Sequence, residues 1–223
     1  MSTATEITAV THPDVFARIT RLDTPPANLW AVGNVDLLTD SNPRVLVTGA
    51  RACTAYGEHI TGELVTGMRR DLTLVTGLAY GVEGAAVRAA LASGRPLIVV
   101  SASGLDRPYP FGHTDLHRRV IDAGGVVISS APIGAVPTRH RFLERGRIAA
   151  ALADAVIITE AGPRSGALHT AATAQDLGIP RGAVPGPITS PASMGTNLML
   201  SNGAHVITNA ESINALVPAV AVV

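Results

Sequence analysis

The sequence predicts an α/β fold: a mostly parallel sheet covered by helices on both faces, with a short N-terminal cap. Three observations predict it. From Arg44 onward the chain repeats one rhythm of apolar run, glycine turn and helix-compatible run. The apolar runs are near-continuous rather than alternating, as in strands buried on both sides. The composition, 47% hydrophobic with 22 Gly and 15 Pro, can fill a sizeable core and still supply many tight turns. A length of 223 residues suits one such domain with a short appendage.

Residues 1–43 differ from the rest of the chain. A helix-compatible run over 10–22 is stopped by Pro25-Pro26. Residues 29–33 and Leu37-Leu38 then supply apolar anchors, with Trp30 as a packing residue. This stretch is expected to cap a main body that occupies 44–223. In that body, strands are expected at 45–48, 72–76, 96–100, 126–129 and 155–159. Helices are expected from near Tyr56 and over 82–91, 116–123 and 142–151, with another opening after Ser165. Short strands near 182–184 and 205–207 and a final helix from Ala210 complete the chain.

Charge narrows the function. The formal net charge is zero and the pI about 7.1, so no overall attraction to nucleic acid is predicted. Locally the balance is different: residues 135–150 hold four Arg and one acid. No Lys occurs, so side-chain cations other than protonated His are arginines. Aromatics, at 3%, argue against a large base-stacking platform. Cys53 is alone, which excludes an intrachain disulfide and makes the cytoplasm the default compartment. The first residues lack a basic region followed by an apolar one, and no apolar run reaches membrane-spanning length.

In sheets of this kind ligands bind outside the carboxyl ends of the strands, where the turns 49–57, 77–81 and 160–166 fall. Ser165 is an expected N-cap, and Gly166 leaves the helix start without a side chain. Such an end presents unpaired N–H groups to an anion, and Arg164 adds a charged fork. The plainer alternative is an ordinary strand-to-helix turn. Gly49 and Arg51 suit a wall for a phosphate or sugar, though Arg51 also suits a surface ion pair. Gly77 lets backbone approach a ligand, and Tyr80 has a face for a base. Glu83 suits a sugar hydroxyl or a helix cap.

Asp106 and Tyr109, in the longest mid-sheet loop, suit contact with a base or with backbone. Arg139, Arg141, Arg145 and Arg147 form the densest basic cluster, fitting a nucleic-acid backbone or a solvated helix balanced by Glu144. Asn197 is placed to bond a neighbouring loop. Glu160 is the best acid for cleaving a nucleoside or phosphate bond, but one carboxylate is not a mechanism, and no catalytic residue is assigned. The histidines lack metal-ligand spacing, so neither metal nor cofactor is expected. No exact G-x-G-x-x-G follows the first strand, and a P-loop is impossible without Lys.

Several segments, taken in order, resemble one family. They are Gly49-Ala50-Arg51 with Tyr56-Gly57, Thr76-Gly77-Leu78-Ala79-Tyr80-Gly81-Val82-Glu83, and Gly104-Leu105-Asp106 with Tyr109-Pro110. Phe142 with Arg145-Gly146-Arg147-Ile148-Ala149-Ala150 continues the series. Glu160-Ala161, Ser165-Gly166, Thr170-Ala171, Val184-Pro185-Gly186 and Gly195-Thr196-Asn197 close it. Their order and spacing resemble the bacterial DNA-processing protein A (DprA/Smf) family over about residues 44–210.

The resemblance implies an extended Rossmann-like core and a non-enzymatic, dimeric protein that binds single-stranded DNA and assists loading of a RecA-type recombinase. It places Arg51, Arg145, Arg147 and Arg164 at phosphates, with Gly77, Ser165 and Gly166 shaping the pocket. Tyr80 stands where the family has Arg, Glu83 where it has Asp, Val87 where it has His, and Gly146 where it has Asn. The family's N-terminal helical domain is reduced to residues 1–43, and no C-terminal winged-helix domain is expected after residue 210. The rival reading is a small-nucleotide sensor or nucleotide N-glycoside hydrolase of the same broad superfamily. The Pro-Gly-Gly-x-Gly-Thr turn of the cleaving relatives is replaced here by Ala161-Gly162-Pro163-Arg164-Ser165-Gly166.

Overall fold

The computed structural model describes residues 4–9 and 11–217. The chain opens with β1 (Thr5–Thr8), α1 (Pro13–Ile19) and β2 (Asn28–Gly33). It continues through β3 (Arg44–Thr48), α2 (Ala55–Gly67), β4 (Thr73–Thr76), α3 (Val82–Ser93) and β5 (Leu97–Ser101). Next come α4 (Thr114–Asp122), β6 (Val126–Ser129), α5 (Arg139–Leu152), β7 (Ala155–Ile158) and α6 (Gly166–Asp176). The last elements are β8 (Arg181–Ala183), α7 (Met194–Ser201), β9 (His205–Val206) and α8 (Ala210–Asn214).

All strands join one nine-stranded sheet in the order β1-β2-β6-β5-β4-β3-β7-β8-β9. The seven strands from β3 onward pair with one another in parallel. Their side chains divide between two cores, one on each face, because successive Cβ atoms of a strand point opposite ways. Leu46 faces one core with Val156, Ile158 and Ile98. Its neighbours Val45 and Val47 face the other, with Val99, Ile157 and Leu74. Helix starts are fixed locally. Thr54 caps α2 by accepting from Gly57 N–H, and Thr138 caps α5 by accepting from Arg141 N–H. Gly94, at φ 64°, closes α3 in the left-handed conformation.

The N-terminal stretch contributes two strands that the apolar pattern of the sequence does not announce. β2 pairs antiparallel with β6, from Trp30 opposite Ser129 to Gly33 opposite Val126, and β1 pairs antiparallel with β2. The helix expected over 10–22 runs Pro13–Ile19, and Val10 lies outside the described residues. Val15, Phe16 and Ile19 of α1 pack into the same core as α5. Arg18 bridges to Asp154 at 2.8 Å, and Arg21 donates to the Ala151 carbonyl at 2.7 Å, so α1 is held against the end of α5.

One buried histidine is expected to make the fold acid-sensitive. His117 of α4 is buried, and its Nε2 has no hydrogen-bond partner among the described residues. Burial pushes its pKa below the ordinary 6.5. The folded state therefore binds fewer protons than the unfolded chain. Stability is full above about pH 6.5 and is lost as pH falls from there through the depressed folded value. Thermal unfolding followed between pH 7 and pH 5 is expected to show this loss, and His117→Leu to flatten the slope.

Candidate nucleic-acid interface

The sheet topology makes the crevice. From β3 the chain adds β4, β5 and β6 on one side, then crosses back to place β7, β8 and β9 on the other. The loops after β3 and β7 therefore leave in opposite directions and open a gap at the strand ends. They are tied together across it. Ala50 N–H donates to the Glu160 carbonyl at 2.7 Å, and the Ala50 carbonyl accepts from Val82 N–H at 3.1 Å. Gly81, at φ 73°, lets α3 begin directly against the carbonyls of Ala50 and Arg51, where a Cβ would collide.

A cavity of about 970 Å³ occupies this gap. Its walls are 49–52, the first turns of α5, and 162–167, with Tyr109 on one rim and Pro191-Ala192 on another. Gly49, Arg51, Tyr109, Arg139, Arg145, Arg164, Ser165 and Gly166 thus meet at one site.

The floor is an ion pair. Arg145 Nη1 lies 2.6 Å from Glu83 Oε2, and Nη2 lies 2.8 Å from Oε1. Thr48 donates its hydroxyl to Oε1 at 2.8 Å, and Ala79 N–H donates to Oε2 at 2.9 Å. Burial alone pushes the Glu83 carboxyl up. The Arg145 charge and the hydrogen bonds from Arg145, Ala79 and Thr48 outweigh burial and hold it below its ordinary value. Gly77 lies against this pair so closely that a Cβ would collide with Arg145 Nη1 and Glu83 Oε2. Gly77 is therefore a packing requirement of the floor, and the fork of Arg145 is engaged by Glu83 rather than turned to the rim.

The rim carries the available charge. Arg51, Arg139 and Arg164 are exposed, and none has an ion-pair or side-chain hydrogen-bond partner among the described residues. Arg51 stacks on the Phe142 ring, its guanidinium carbon 3.9 Å from the centroid. Tyr109 meets the same ring edge-on at 5.7 Å. Ser165 caps α6 by accepting from Ala167 N–H at 3.3 Å, as its position predicts. The first turns of α5 and α6 both line the cavity, so two helix N-termini add positive potential to the three arginines.

The other candidates lie elsewhere. Arg147 donates to the Thr24 hydroxyl at 2.9 Å, and Arg141 donates to the Val136 carbonyl. Asp106 accepts from Gly134 N–H at 2.8 Å and fastens one loop to another. Both Glu160 oxygens are taken at 2.7 Å by Thr54, through its N–H and its hydroxyl. Asn197 bonds Gly186 in both directions, donating to its carbonyl at 2.9 Å and accepting from its N–H at 3.2 Å. Tyr80 is exposed outside the cavity, its ring edge-on to His113 at 4.7 Å. Phe142 stands out in the sequence only as part of a motif. Its role as the bed of Arg51 depends on two distant segments meeting, and no local pattern announces that. Among the described residues no group of three or more His, Cys, Asp or Glu is placed to hold a metal, and no helix is long and apolar enough to cross a membrane.

The family model for DNA recombination-mediator protein A matches residues 6–218. The chain is 47% identical over 189 residues to a putative DNA processing protein DprA from Mycobacterium tuberculosis. The match takes in 84% of this chain and 48% of that protein, so the chain spans about half the length of that relative. The X-ray structure of DprA from Streptococcus pneumoniae superposes with a TM-score of 0.88 at 32% identity, covering 95% of this chain and 73% of that one. DprA from Helicobacter pylori, solved for its single-stranded DNA binding mode, superposes with a TM-score of 0.81 at 28% identity, covering 96% and 97%.

Proposed function

Because the chain belongs to the DNA recombination-mediator protein A family, we propose that it binds single-stranded DNA in the crevice between the β3 and β7 loops. One observation carries the reading: Arg51, Arg139 and Arg164, without ionic partners among the described residues, ring a cavity that also receives the first turns of α5 and α6. Like charges brought together without an anion repel, and a phosphate chain offsets that cost. Phe142 and Tyr109 add apolar ring faces beside the cations, which suits a strand whose bases are unpaired.

The protein then acts as a non-enzymatic mediator. It holds the strand as a cytoplasmic homodimer while a RecA-type recombinase loads. Thr54 engages both oxygens of Glu160 and Arg145 engages Glu83, which gives both carboxyls a structural role.

Fluorescence anisotropy of a labelled oligonucleotide across a salt series tests this. Single strands are expected to bind at low salt in preference to duplex, with log K falling linearly as log salt rises. No binding at low salt, together with tight binding of a mononucleotide, would replace this reading with a small-nucleotide sensor.

A further inference from the structure

The chain holds only three Phe, three Tyr and one Trp. Four of these seven follow one another outward from the cavity edge, linked by ring contact or by adjacency in the chain. Tyr109 meets Phe142 at the edge of the cavity. Phe111 follows two residues on and is 87% exposed. Tyr80 comes from the loop after β4 and lies over the next residue, where a Cβ on Gly112 would meet its hydroxyl at 2.5 Å. Tyr80 is 51% exposed, and its ring abuts His113.

The strip is braced from below. His113 Nδ1 lies 2.9 Å from the Leu78 carbonyl, which ties the loop to the segment that carries Tyr80. Ser103 donates to the Arg107 carbonyl at 2.8 Å, and Gly104 N–H donates to the Ala135 carbonyl at 2.9 Å. Rings on a braced loop lose little freedom when a flat partner settles on them, so exposure costs less to exchange for contact. The carboxylates that flank the segment are occupied: Asp106 by Gly134 N–H, and Asp115 by Arg118.

We propose that Tyr109, Phe111 and Tyr80 form a second subsite, which takes unpaired nucleobases of the strand as it leaves the arginine-ringed crevice. This rests on the single-stranded DNA reading. The argument for bases as the occupant is continuity: the strip begins at Phe142, whose ring already carries Arg51, so a strand gripped there by its phosphates meets Tyr109 where it leaves on that side. Ring faces accept any base, so the subsite adds affinity without sequence preference.

The test compares the wild type with the F111A/Y80A double variant on oligonucleotides of increasing length. Both side chains are exposed, so folding is expected to be unchanged, which a melting curve checks. The shortest bound oligonucleotide is expected to bind both proteins equally. Longer ones are expected to bind the variant about tenfold more weakly, within the range for losing base stacking. The salt slope is expected to stay the same, since no phosphate contact is removed.

Abasic sites at the far end of the longer oligonucleotide are expected to weaken the wild type as much as the variant is weakened on the intact strand, and to leave the variant unaffected. Equal binding of all lengths by both proteins, or indifference of the wild type to abasic sites, would overturn the base subsite while leaving the crevice reading intact. Absence of any single-strand binding by the wild type would overturn both.

Discussion

Glu83→Ala is expected to lower folding stability by about 3–5 kcal/mol, the cost of leaving a buried cation without its partner. Arg145 is the cation, its side chain 13% exposed beneath the cavity while that of Glu83 is 4% exposed. The loss has three parts. Arg145 keeps its burial without its counter-ion, and Arg145 Nε is already buried with no hydrogen-bond partner among the described residues. The Thr48 hydroxyl and the Ala79 N–H also lose their acceptor.

Urea denaturation of Glu83→Ala and of a double variant with both residues replaced by methionine checks the cause. The double variant is expected to recover the part due to the unpaired Arg145 charge, because an apolar pair of similar volume carries no charge desolvation cost, while the Thr48 hydroxyl and the Ala79 N–H stay without their acceptor. The pH dependence has a definite sign. Glu83 has its pKa depressed in the fold, so the stability it contributes is present above its ordinary value of 4.5 and is lost as pH falls through the folded value. The Glu83 window opens at about 4.5, lower than the pH of about 6.5 at which the His117 loss begins.

Arg51→Ala combined with Arg164→Ala is expected to cut single-strand affinity roughly a hundredfold at low salt, about 1.5 kcal/mol for each charged contact. The slope of log K against log salt is expected to become shallower by about 1.4, since each phosphate contact on a single strand contributes about 0.7. Both side chains are exposed, and Arg164 makes no ion pair among the described residues, so the melting temperature is expected to stay near that of the wild type. Arg147→Ala is the control. That arginine bonds Thr24 on the N-terminal side and does not line the cavity, so affinity and slope are expected to be unchanged. A loss of affinity with Arg147→Ala as large as that of the rim variants would move the DNA path onto the outer face of α5.

Much of the fold is readable in one dimension. Strands β3 to β7 fall within a residue or two of the apolar runs, because a run of Val, Ile and Leu between turns has few other ways to bury itself. The Ser165 cap is equally visible, since a hydroxyl two residues before an N–H is a local geometry that needs no other part of the chain. β1 and β2 are not visible. The apolar residues 29–32 do end on Gly33, but only a single 3-10 turn at Val35–Leu38 follows, and their hydrogen-bond partner is β6, about a hundred residues away. Low aromatic content is legible as a count, yet a count says nothing about where side chains gather. Tyr80 and Phe142 are far apart in sequence but are linked through Tyr109 and Phe111 by ring contact or by adjacency in the chain.

The arginines draw the line most clearly. Their number, their clustering over 139–147 and the position of Arg51 and Arg164 after strands are properties of the linear chain. Which of them stays available to an anion is not, because a cation is neutralised by whatever carboxylate folding brings beside it. Arg145 meets Glu83 from 62 residues away and becomes the floor, while Arg51, Arg139 and Arg164 meet no such partner among the described residues and form the rim. Short-range rules set helices, strands and caps; Coulomb's law acts on distances in space, and those exist only once the sheet has closed around its crossover.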